Sequence, residues 1–132
     1  MRLSGLFLMV FALSCVSLYI RAEVVTYPCI EFEHTQYDYG VVSLANDTLQ
    51  THPFVFTNVG GDTLVIINIA TGCGCVQAAS SRTIIEPGGC DTIVVKYNPE
   101  GQRIGRFRKS ITIFCNDPRS FVRLFVRGTV SD

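Results

Sequence analysis

From residue 23 onward, short β-prone runs are broken repeatedly by Gly, Pro, Asn and Asp, and no stretch keeps a helical period. A chain that turns this often cannot bury a long helix. It must stack short strands in two layers. That restricts the fold to an all-β architecture, and the spacing predicts an Ig-like antiparallel β-sandwich of about seven to nine short strands.

The runs can be placed in order. Val24-Val25 and Ile30-Glu31-Phe32-Glu33 predict a first, edge-type strand, and Tyr37 to Val42 a second that contains Gly40. Leu49 to Asn58 predicts a strand with Phe54 and Phe56 on one face. Pro53 lacks an N–H, which calls for an edge or a bulge there. Asn58 to Asp62, with Gly60-Gly61, is expected to supply the positive-φ residues of a hairpin turn. Thr63 to Ile69 is rich in β-branched residues and apolar on both parities, which predicts a central strand covered on both faces. Val76 to Ala79 and Arg82 to Ile85 follow as short strands, and Pro87-Gly88 as a turn. Cys90 to Tyr97 and Arg106 to Cys115 are expected to form a hairpin around Asn98-Pro99-Glu100-Gly101. Ser120 to Val130 closes the domain, with Val122, Leu124 and Val126 inward and Arg123 and Arg127 outward.

The block of residues 54–89 also carries a resemblance. Its features are Phe54-Val55-Phe56-Thr57-Asn58, then Gly60-Gly61-Asp62, Leu64-Val65-Ile66, Cys73-Gly74-Cys75 and Ile85-Glu86-Pro87-Gly88. With Tyr37-Asp38-Tyr39-Gly40-Val41-Val42 upstream, their order and spacing resemble the bacterial family called domain of unknown function 1573. The resemblance implies an Ig-like sandwich of secreted or envelope-anchored type, related to pilus-chaperone and sperm-protein domains, and it brings no activity with it. The doubled Gly60-Gly61 departs from the single Gly usual in that family.

At 132 residues the chain holds one domain, expected over residues 23–132. Residues 1–22 begin with Arg2 ahead of a nearly unbroken apolar run from Leu3 to Ile20, which reads as a signal peptide cleaved after Ala22. A membrane anchor is the alternative. A third reading makes Cys15 a lipid-modified cysteine, although Ala12-Leu13-Ser14-Cys15 fits a lipobox only in part. All three predict export to the periplasm or cell envelope, with membrane contact only through this segment.

Net charge is zero, so nothing pulls the whole chain toward nucleic acid. Charge is segregated nonetheless. No Lys or Arg lies between Arg21 and Arg82, whereas Lys96, Arg103, Arg106, Arg108, Lys109, Arg119, Arg123 and Arg127 crowd the second half. The ordinary reading is that acidic and basic strands are neighbours that neutralise one another, and it is preferred over a basic binding face.

There are six cysteines: Cys15, Cys29, Cys73, Cys75, Cys90 and Cys115. Cleavage of the leader leaves an odd number, so one thiol is free or bonded to another chain. Cys90 and Cys115 would face each other across the expected hairpin and could form a disulfide, although apolar parity favours a register shifted by one. Cys73 and Cys75 flank Gly74. As thiolates they could hold copper or zinc, with Cys29 as a third ligand. As a dithiol they could exchange electrons, although no cation lies near them in sequence and a disulfide between them would close a small, readily reduced ring. The structural reading, two small residues packed at the end of the sandwich, ranks first.

His34 and His52 are not in a metal-spaced pair, and no nucleophile elbow or phosphate-binding loop is present. The expectation is a non-enzymatic module without a cofactor that binds another protein. Its candidate edges for strand addition are the N-terminal strand with Pro28 and the strand with Pro53. A soft-metal or thiol-redox domain built on the Cys73-Gly74-Cys75 loop is the alternative.

Overall fold

A computed structural model describes residues 26–46 and 49–132. The leader-like segment, Cys15 and Val24-Val25 lie outside the described residues. Nine strands run in chain order: β1 (Ile30–Phe32), β2 (Gln36–Ser43), β3 (Gln50–Asn58), β4 (Leu64–Thr71), β5 (Val76–Ser80), β6 (Ile84–Ile85), β7 (Cys90–Tyr97), β8 (Gly105–Cys115) and β9 (Phe121–Ser131). Among the described residues there is no helix.

The strands form two sheets, one ordered β1-β3-β7-β5 and the other β2-β9-β8-β4-β6. Pairing is antiparallel except between β2 and β9, which run parallel. The inner faces meet in one core. Phe54 and Phe56 of β3, Ile93 and Val95 of β7, Ile113 of β8 and Leu124 of β9 have at most 1% of their surface exposed. Each such side chain stabilises the fold by about 1.5–3 kcal/mol of apolar transfer. Tyr97 is buried with them and stacks on Phe107 at 4.1 Å, but its hydroxyl has no hydrogen-bond partner among the described residues.

Three expectations about pairing fail together. The segments on either side of Gly60-Gly61 do not form a hairpin: β3 and β4 belong to opposite sheets. Neither glycine adopts positive φ. Gly60 is required because the chain passes close by, and a Cβ there would collide with the Tyr27 carbonyl. Nor do β7 and β8 pair; the chain crosses the sandwich between them. The hairpin is β8 with β9, in register from Gly105 opposite Val130 to Phe114 opposite Phe121. Finally, β4 is covered on one face only. Leu64 and Ile66 are buried, while Ile67, at a bulge, is 68% exposed. Its outer neighbour is the two-residue β6.

Pro53 sits where its missing N–H costs nothing. It pairs with Val94 of β7 on one side, while on the other β1 reaches only from Asn58 to Phe56. β3 is therefore internal along its second half and an edge along its first.

Candidate functional site

Two regions concentrate unusual chemistry, at opposite ends of β7. The first is the cysteine loop. β4 ends at Thr71, the carbonyl of Cys73 accepts the Val76 N–H at 3.1 Å, and the turn delivers the chain into β5. The Cys75 N–H donates to the Cys73 sulfur at 3.2 Å, and Asn98 N–H donates to the Cys75 carbonyl at 2.8 Å. The two sulfurs are bonded to each other at 2.05 Å. Cys75 packs into the core. Cys73 opens onto a depression of about 170 Å³ that is also lined by Gly72, Arg108, Lys109 and Ser110. The sequence shows no cation near this pair; β8 supplies two.

The second region is a knot of buried polar groups. Asp117, in the β8–β9 turn, has a side chain only 2% exposed. Its carboxylate accepts from the Ile30 N–H at 3.0 Å, from the Arg119 N–H at 2.8 Å, and from Arg119 Nε and Nη2 at 3.1 and 2.9 Å. Arg119 Nη2 also donates to the Ile30 carbonyl at 2.6 Å. The hydrogen bonds from the Arg119 guanidinium hold the Asp117 carboxyl down at about 2, against the opposing effect of burial, helped by the two backbone donors. Beside it, Asn58 is fully buried and fully satisfied. Its Oδ1 accepts from Cys29 and Gly60 N–H, and its Nδ2 donates to the carbonyls of Asp62 and Ile85. This knot is structural: the hydrogen bonds of Asp117, Arg119 and Asn58 go to the protein's own backbone or to one another. From sequence, Asn58 reads as a strand end and turn residue, and Asn116-Asp117-Pro118 as a turn.

The structure separates residues that sequence reading had joined. Cys29 donates its N–H to Asn58, beside the Cys90 end of β7, while Cys73 and Cys75 lie at the Tyr97 end. Seven strand steps between those ends span about 23 Å. Cys29 therefore cannot complete a metal site with the loop, and in the disulfide neither Cys73 nor Cys75 is a thiolate. Among the described residues no group of three or more His, Cys, Asp or Glu is placed to hold a metal ion. The disulfide expected between Cys90 and Cys115 is not formed either. Cys90 is exposed on one sheet, Cys115 is buried on the other, and both are free thiols. Burial pushes the Cys115 thiol up. His34 is exposed, and His52 stacks on Tyr37 at 3.6 Å. Burial, and then the nearby His34, hold the His52 imidazole below its usual value.

The edges of the sheets are the remaining candidates. β1 is an edge, as expected, but it is three residues long and held by the Asp117 knot. β5 was not expected as one. It pairs with β7 in unbroken register from Val76 opposite Tyr97 to Ser80 opposite Ile93, and among the described residues no strand pairs with its other side. Val76-Gln77-Ala78-Ala79-Ser80 contains no charge, proline or bulge, the devices that usually protect an edge. A trough of about 370 Å³ runs along it, lined by Gln77, Ala78, Ala79, Ser80, Ser81, Val94 and Lys96.

Solved structures share this fold. The chain is similar to a protein of unknown function from Porphyromonas gingivalis W83, with 22% identity and a TM-score of 0.71, over 83% of this chain and 50% of that one. It thus spans half the length of that relative. It is also similar to PapD-like domain 7 of human CEP192, an ASH / PapD-like domain, with 9% identity and a TM-score of 0.62, over 86% of this chain and 91% of that one. A third relative is the YadV chaperone, with 12% identity and a TM-score of 0.56, over 78% of this chain and 52% of that one. At these identities the likeness is one of fold. No curated protein matches the sequence. Residues 30–130 match the family described as Protein of unknown function (DUF1573), and the chain belongs to that family.

Proposed function

We propose that this protein is a non-enzymatic, exported interaction module that binds an extended segment of a partner protein along the open edge of β5. The observation that carries the reading is the edge itself. Its five residues are uncharged, regular and unpaired on one side, beside a trough of small side chains. An incoming strand would satisfy the free backbone groups and lay its alternate side chains into the trough. The apolar leader-like segment supports export, and so does a disulfide, which persists in oxidising compartments. One structural relative is named a chaperone, and a binding role for the same sandwich agrees with that.

The test is site-specific photo-crosslinking in the native envelope. A crosslinker at Gln77 should give a defined protein adduct, and Ala79→Lys should suppress it. Equal adducts from Gln77 and from a control at exposed Glu86 would sink the reading.

One observation favours a second reading, thiol–disulfide exchange at Cys73. Its sulfur opens onto the depression lined by Arg108 and Lys109, whose charges would stabilise a thiolate there. In that step a partner dithiol gives two electrons and two protons to the Cys73–Cys75 bond and becomes a disulfide. Alkylation and mass measurement across a series of dithiothreitol buffers tests it. A pair that stays oxidised throughout while the protein remains folded rules it out.

A further inference from the structure

Sequence reading preferred neutralisation between acidic and basic strands, and the second half of the chain shows it only in part: Arg119 pairs with Asp117 and Arg127 with Asp38, while Arg106 and Arg108 do not pair among the described residues. β8 and β9 are neighbours, and their outward positions carry Arg106, Arg108, Arg123 and Arg127 on one face. Arg108 lies directly opposite Arg127, a like-charge pair that works against folding on its own. Among the described residues one carboxylate reaches this group. Asp38 of β2 is 3.4 Å from Arg127 Nε and also accepts the Gly40 N–H at 2.7 Å. Arg106 and Arg108 form no ion pair among the described residues. The Arg108 guanidinium lies over the Phe125 ring, 4.1 Å from its centre.

These residues line a concavity. Gly40, at positive φ, sits within a register shift of β2 between Asp38 and Val41. Beside it opens a groove of about 580 Å³, lined by Asp38, Val41, Arg106, Arg108, Arg127 and Thr129 among others. Val41, on its rim, is 70% exposed.

We infer that this groove binds an extended protein segment bearing carboxylates at alternate positions. Three guanidinium groups against one carboxylate set the sign of the partner. Arg106 and Arg108 stand two residues apart on one strand face, about 6.8 Å, which is also the repeat of alternate side chains in an extended peptide. An Asp or Glu at every second position therefore meets both forks in turn, each able to accept two parallel N–H bonds. Val41 adds apolar contact at the rim. A nucleic-acid strand fits less well, because it needs free aromatic faces for its bases. Here one face of Phe125 is taken by Arg108, and Phe107 is stacked on Tyr97.

The test is fluorescence anisotropy on the folded protein with a labelled peptide of alternating Glu and Thr. A second peptide of the same composition carries its Glu residues in one block. The alternating peptide should bind more tightly, and added salt should weaken it. Arg106→Gln with Arg108→Gln should weaken it about tenfold, the loss of two exposed ion pairs. Arg82→Gln, at a cation outside both the groove and the β5 trough, should leave it unchanged. Both arginines point outward and form no ion pair among the described residues, so a retained cooperative melt separates lost binding from lost folding. Equal binding of the two peptides, or no effect of the double substitution, overturns the inference. Tighter binding of a single-stranded oligonucleotide overturns it in favour of a general polyanion surface. Self-association abolished by Glu31→Lys with Glu33→Lys overturns it in favour of a second copy, since Glu31 and Glu33 show the same alternation on exposed positions.

Discussion

β1 and β5 are the two outer strands of one four-stranded sheet, and they are built for opposite purposes. β1 has three residues, yet both backbone groups of Ile30 are held from the other sheet by Asp117 and Arg119, and the approach to it is held by Asn58. β5 has five residues, and among the described residues no strand pairs with its outer side. Buried polar groups with complete partners close the first edge. Small uncharged side chains leave the second open. An edge can thus be protected by tying it to the opposite sheet as well as by charge or proline, and the edge left untied is the one available to a partner.

The comparison can be broken most severely at Asp117. Asp117→Ala leaves the buried Ile30 N–H without its acceptor and frees Arg119, and should cost about 3 kcal/mol in a urea melt. A cost below about 0.5 kcal/mol would mean that β1 is held by apolar packing alone.

Acid should reach the same knot. The Asp117 carboxyl titrates at about 2, below its ordinary 3.8. A depressed value means that the stabilisation is present above the ordinary pKa and is lost as pH falls toward the folded one. The contribution is about 2 kcal/mol, lost between about pH 4 and pH 2. Urea midpoints of the wild-type protein should fall across that window, and those of Asp117→Asn should fall by correspondingly less.

Tyr97 measures the core between the two edges. Its hydroxyl is buried without a partner among the described residues. Tyr97→Phe removes that unsatisfied group and should stabilise the protein by about 1 kcal/mol, read as a higher melting temperature. A loss of stability instead would show that the hydroxyl is satisfied in solution.

β5 should give the smallest effect. Ala79→Lys points outward and should change stability by less than about 0.5 kcal/mol, while suppressing the Gln77 crosslink. Loss of stability comparable to that of Asp117→Ala would show that the open edge is part of the fold's support, and the contrast between the two strands would fail.

Local pattern alone determined where the strands lie and which side chains face inward. Turn residues punctuate the chain, and alternation puts Phe54, Phe56, Leu124 and Val126 in the core. It also marked the Cys73-Gly74-Cys75 loop, because that composition is unusual by itself. Pairing was decided elsewhere. A short connection between two β-prone runs can close a hairpin or cross to the other sheet, and the residues in it serve either outcome. Thus β3–β4 and β7–β8 cross where hairpins were expected, and β2 runs parallel to β9. The Asp117 knot was illegible for the same reason: Asp117 and Ile30 are 87 positions apart, and no local pattern joins them. The cations beside Cys73 and the unneutralised arginines of β8 and β9 likewise exist only once β8 lies between β9 and β4. Turn chemistry and side-chain alternation act over a few residues and are written locally; which edge stays open and which charges stay unpaired depend on strand neighbours, and only the packed sandwich chooses those.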